Sequence, residues 1–222
     1  MSVTIMPERI TEISPRSKAR IAGVFYLLTF VAGVVALVSV SSRLPANLIA
    51  TASYVAVTML FYDIFRPVNK SIALLAALFG LVGCTWSALT LFHLTPLEIN
   101  SLVFFGFYCL LIGYLIIKST FLPRILGIGM GIGGLGWLTF LSTPLANSLA
   151  PWNLAPGMIG EGLLTLWLLA FGVNVQRWKE QAGTTMAAAL FVLTIAMAIG
   201  IFGATIGMWL PIVRIGRLFL EF

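Results

Sequence analysis

Three acid or imidazole groups in this 222-residue chain have chemistry to offer: Glu161, the single histidine His93, and Asp63. Each lies in or at the edge of a long apolar run. An ionisable group inside a membrane-length apolar stretch is costly, so it marks a proton, ion or substrate path until a blander reason is found. Glu161 is flanked by Gly160 and Gly162, which leave room for another helix or a ligand. It follows Pro156 by five residues, about 7 Å along a helix beginning there. The blander reason is that a carboxylate near a helix N-terminus is favoured by the dipole and by interfacial water. His93 ends an earlier apolar run on the same side. Glu161 and His93 together form the candidate polar site, with the imidazole handling protons beside the acid. An interfacial, hydrogen-bonded histidine is the alternative.

Asp63 stands among basic residues. With Arg66, Arg124 and Arg177 it is expected to form an ionic cluster that ties loops together, with Lys70 and Lys118 nearby. Such a basic surface attracts anionic lipid headgroups. Metal chemistry is not expected, since a site needs three or four ligands and the chain has one histidine. Cys84 and Cys109 both fall inside apolar runs and read as small packing residues rather than a disulfide pair. The run Gly129-Met130-Gly131-Ile132-Gly133-Gly134 matches G-x-G-x-x-G. A dinucleotide fingerprint must follow a strand and open a helix in a βαβ unit, and no such unit surrounds this one. No nucleophile elbow, phosphate loop or paired-carboxylate motif occurs, so neither a cofactor nor a catalytic group is expected.

The elements that must position these groups are membrane-length helices. The chain is 60% hydrophobic and 9% charged, with a mean hydropathy of +1.06. Soluble domains carry about 25% charged residues, and this chain could not cover a water-facing surface with so few. A span takes roughly 20 apolar residues, and charges cut the sequence into pieces of that size. They run over residues 21–42, 44–62, 71–92, 95–117, 123–141, 156–175 and 185–210. Thr95-Pro96-Leu97-Glu98 reads as a capping box opening the fourth span. Pro144, Asn147, Pro151, Asn153 and Pro156 break the charge-free stretch between Arg124 and Glu161. The expected fold class is an all-α transmembrane bundle. A cytoplasmic segment covers residues 1–19, a six-helix domain residues 20–182, and a further hydrophobic span with a short tail residues 183–222.

The net charge is +6 and the pI about 9.8, but the basic residues punctuate apolar runs and no nucleic-acid motif accompanies them. With the N-terminus in the cytoplasm of a multi-pass cell-membrane protein, ten of the thirteen Lys and Arg residues fall inside and three outside. Helices in lipid associate by close packing at small residues. Gly127 with Gly131 and Gly129 with Gly133 in the fifth span, and Gly203 with Gly207 in the seventh, are small-xxx-small pairs. They are expected to meet other helices of this chain, a second copy, or another membrane protein. No nucleic-acid partner is expected; membrane lipids are.

The stretch from Tyr62-Asp63-Ile64-Phe65-Arg66-Pro67-Val68-Asn69-Lys70-Ser71 to Ala77 resembles the uncharacterised membrane family DUF4386. So do Ala19-Arg20-Ile21-Ala22-Gly23-Val24, residues 102–109 running to 122–127, and residues 156–161 running to Gly172-Val173-Asn174-Val175-Gln176-Arg177-Trp178. Together these cover about residues 19–182. The resemblance implies a six-helix core and puts Glu161 in a recurrent family segment. It brings no activity, cofactor or catalytic residue. The chain is short between its first and second and its third and fourth spans, where similar proteins carry longer outer segments. If those segments shape an outer pocket, this chain lacks it. The leading functional reading is a membrane protein that binds or moves a small solute, proton or lipid through a bundle cavity. A non-catalytic assembly protein is second and an intramembrane enzyme third.

Overall fold

The computed structural model describes residues 13–94 and 99–184, and every regular element in them is helical. The long helices are α1 (Pro15–Val38), α2 (Arg43–Phe65), α3 (Lys70–Leu91), α4 (Leu102–Lys118) and α5 (Arg124–Leu138), the last running on into a 3-10 turn (Thr139–Leu141). A short helix α6 (Thr143–Leu149) leads to α7 (Leu154–Ala170), and α8 (Val175–Thr184) turns away from α7 by 106°. The described residues up to Gln181 form one compact unit; of the second, 182–222, only 182–184 are described, and they are helical. The seventh expected span lies outside the described residues, and so does the Thr95–Glu98 box. The packing expected of Gly203 and of Gly207 falls outside them too, since both belong to that seventh span.

Local chemistry moved several boundaries. α1 begins at Pro15 rather than at residue 21, because Ser14 Oγ accepts from Ser17 N–H at 3.1 Å and proline suits the first helical position. α4 begins at Leu102, not at Thr95. Trp86 Nε1 donates to Ile99 O at 2.8 Å and Asn100 Oδ1 accepts from Leu102 N–H at 3.0 Å, so 99 and 100 are held as a cap. The stretch between Arg124 and Glu161 is broken at Ser142, which is extended, and Pro144 then sits in the first turn of α6, where its missing N–H costs nothing. α7 starts at Leu154 and stops at Ala170, short of residue 175. Gly172, at φ +67°, closes it with N–H bonds to Trp167 O and Leu168 O. Asn174 Oδ1 then caps α8 by accepting from Arg177 N–H at 3.1 Å.

Six helices pack as a closed ring. α1 contacts α2, α2 contacts α3, and so on through α4 and α5 to α7, which returns to α1. The ring is close because small residues let backbones approach. A Cβ added at Gly127 would fall 2.6 Å from Gly113 O across the α4–α5 contact, and one at Gly160 would overlap the Gly129 carbonyl between α7 and α5. Outward faces are apolar, with Ile132, Leu135, Ile159, Leu163 and Leu166 exposed. So much exposed apolar surface is foreign to a water-soluble domain. α1, α2, α3 and Arg124–Leu141 are each long and apolar enough to cross a membrane, α4 is a shorter apolar helix, and α7 with α8 forms a bent apolar pair. The protein is a helical membrane bundle.

Charge is concentrated at one end. Asp63 is bonded there by Lys18 of α1 and, at 3.0 Å, by Arg66. Trp178 Nε1 donates to Ile64 O at 2.8 Å and Arg177 donates to Thr120 O at 3.3 Å. Of the ten Lys and Arg among the described residues, Arg43 alone lies at the other end.

Candidate functional site

The site is built on the second turn of α7, where Glu161 points into the ring and is 5% exposed. Three helices send donors to it. Tyr26 of α1 donates its hydroxyl to Oε2 at 2.6 Å. Trp137, in the last turn of α5, donates Nε1–H to Oε1 at 2.6 Å, and Cys109 of α4 approaches the same oxygen at 3.5 Å. Gly157, one turn before Glu161 on α7, makes the indole's position available, since a Cβ there would overlap the ring. Tyr54 of α2 completes the cluster, with its hydroxyl 3.5 Å from that of Tyr26 and its ring edge-on to the Tyr26 ring at 5.5 Å. No Lys, Arg or His among the described residues pairs with Glu161.

This arrangement accommodates the acid in two protonation states. An indole N–H only donates, so Oε1 is fixed as an acceptor. A tyrosine hydroxyl both donates and accepts. With the carboxylate ionised, Tyr26 donates to Oε2. With a proton on Oε2, the carboxyl donates to Tyr26, which turns its own proton toward Tyr54. Neither state leaves a carboxyl oxygen without a partner.

A cavity of about 170 Å³ reaches the acid. Its polar lining is Thr29, Asn47, Thr51 and Ser87, and Tyr54, Phe105 and Trp137 supply aromatic walls. Asn47 and Ser87 also line a wider cleft of about 730 Å³, which includes Arg43, Thr90, His93 and Asn100. The two spaces therefore share a wall at the end of the bundle opposite the charged one. Beyond Glu161 the interior is filled by Phe61, Phe65, Ile112, Leu115 and Met130, all buried. The cleft is made by helix ends and the turn after α3, so a pocket exists without long outer segments.

His93 is exposed and lies in the outer cleft, not against Glu161. It closes α3: His93 N–H bonds Thr90 O, Leu94 N–H bonds Leu89 O, and φ is +57° at His93. That is the left-handed position glycine usually fills. Asp63 is bonded by Arg66 and by Lys18 of α1, while Arg177 binds the Thr120 carbonyl and Arg124 opens α5. In α5, Cβ positions at Gly127 and Gly133 would press on neighbouring backbone, and one at Gly129 would make ordinary contact. Gly131 differs. Its backbone is approached by Gly113, yet a Cβ on it would point into open space. Among the described residues no group of three His, Cys, Asp or Glu is placed to hold a metal.

Sequence reasoning missed Tyr26, Tyr54, Trp137 and Lys18, and took Cys109 for packing alone. A signal was present. Tyr and Trp concentrate at membrane interfaces, whereas Tyr26 and Tyr54 sit mid-helix in apolar runs.

Fold and site together define an α-helical membrane bundle with a buried, aromatic-bonded carboxylate at the end of a cavity. The family model described as "Domain of unknown function (DUF4386)" matches residues 97–172, which include Trp137 and Glu161. An uncharacterized protein of Archaeoglobus fulgidus is 31% identical over 127 residues, covering 53% of this chain and 76% of the relative. The chain belongs to the DUF4386 family. No solved structure matches it.

Proposed function

We propose that this protein binds a small solute in the bundle cavity, with Glu161 as the group that selects it and exchanges protons with it or with water. The N-terminal end of α1 lies in the cytoplasm and the cleft opens outward, in keeping with the basic residues gathered at the opposite end. That basic end meets anionic headgroups. The observation that carries the reading is the 170 Å³ cavity with Glu161 in its wall and half-buried polar side chains between it and the cleft. A carboxylate kept only for packing would have no use for such a passage, and a buried acid is expensive. Cys109 is not in the cavity wall, so its thiol is not presented to a solute beside the acid.

Infrared difference spectroscopy of the protein in lipid, between about pH 4 and pH 10, tests the proton exchange. A carboxyl band that titrates and is missing from Glu161→Gln is expected. A Glu161 band that stays fixed across that range would reduce the acid to a structural group.

A further inference from the structure

We propose that the solute is a small organic cation carrying an ammonium group; this rests on the cavity reading above. Among the described residues, Glu161 is the only formally charged side chain in the inner cavity wall. An anion entering would meet that charge with nothing to offset it. A cation would supply the counter-charge that the chain itself withholds, since no basic residue among those described pairs with the acid. The remaining wall suits the same ligand. Tyr54, Phe105 and Trp137 face the space, with the Tyr54 and Phe105 ring centroids 4.6 Å apart. Aromatic faces attract ammonium groups, most strongly once water has been removed. Thr29, Thr51, Ser87 and Asn47 add neutral oxygens for any N–H the ligand bears.

Size narrows the class. The cavity is about 170 Å³, close to the roughly 150 Å³ that accommodates a benzene-sized molecule. Arg43 is the one opposing charge on the route among the described residues. It lines the outer cleft only. Along α2 it stands eleven residues from Tyr54, about 16 Å at 1.5 Å per residue. Its repulsion is strongest in the wide cleft and weakens with distance toward the aromatic walls.

The test is calorimetric titration of the detergent-solubilised full-length protein with tetramethylammonium and with tert-butanol, a neutral molecule of similar shape. Tetramethylammonium should bind, with tert-butanol roughly tenfold weaker or more. Glu161→Gln keeps an acceptor for Trp137 and should erase that preference. Phe105→Leu touches none of the bonds to Glu161, so it keeps the test alive if the first variant does not fold. It should weaken the cation more than the alcohol. Ala50→Leu, which fills the cavity from α2, should abolish binding of both. Equal binding of the two probes, lost together in Ala50→Leu, would overturn the cation assignment and leave the cavity reading standing. No binding of tetramethylammonium would overturn the assignment as well. The cavity reading would then stand or fall on the accessibility of Thr51 to water.

Discussion

Trp137 donates its indole N–H to Oε1 of Glu161 at 2.6 Å, joining the last turn of α5 to the second turn of α7. The bond fixes Oε1 as an acceptor and so orients the carboxyl group, and the same indole also walls the cavity. Trp137→Phe keeps an aromatic ring and removes the donor. It should shift the Glu161 carboxyl band and lower stability by about 1–3 kcal/mol, the cost of stripping a partner from a buried polar group. Infrared spectra and thermal melts of the variant check both. An unmoved band would mean that the indole does not hold the acid.

Tyr26→Phe removes the partner of Oε2. His93→Ala alters a residue of the outer cleft that makes no bond to the acid. The carboxyl titration should therefore change in the first variant and stay as in wild type in the second. A change in the His93→Ala curve matching that of Tyr26→Phe would put imidazole and carboxyl in one site after all.

His93 holds φ +57° at the end of α3. A side chain there costs about 1–2 kcal/mol relative to glycine, so His93→Gly should raise the melting temperature and His93→Val should lower it. If His93→Gly melts lower than wild type, the imidazole contributes contacts that outweigh the strain.

Gly127 faces the Gly113 carbonyl, whereas a side chain at Gly131 would enter open space. Gly127→Leu should therefore destabilise the bundle in detergent and Gly131→Leu should not. The sequence pairs both glycines in one small-residue motif and cannot separate them. Spacing tells which residues share a helix face, but the direction of a missing Cβ depends on how the neighbouring helix crosses. Equal loss in the two variants would contradict this packing.

The same division runs through the whole molecule. The helical character, α2 and α3 to within three residues at either end, and the inward acid were legible from hydropathy, charge and the cost of burying Glu161. Helix ends set by side-chain caps were not: α4 is delayed by the Trp86 bond from α3 to Ile99 O and by Asn100, whose side chain accepts from Leu102 N–H. Partners brought together by ring closure were also hidden. Tyr26 is 135 residues from Glu161 and meets it because α7 returns to α1. Lys18 reaches Asp63 for a similar reason, since α1 packs on α2.

Water and small solutes are expected to reach the wall of the inner cavity. Cysteine accessibility tests it most directly, in a background of Cys84→Ala and Cys109→Ser. Thr51→Cys lies in the cavity wall, while Ala76→Cys lies in the packed core of α3. With a small water-soluble thiol reagent added from the side that carries His93, Thr51→Cys should react readily and Ala76→Cys should not. Tetramethylammonium should slow the reaction at position 51. If Thr51→Cys reacts no faster than Ala76→Cys, the cavity is sealed from water and Glu161 does not serve a solute.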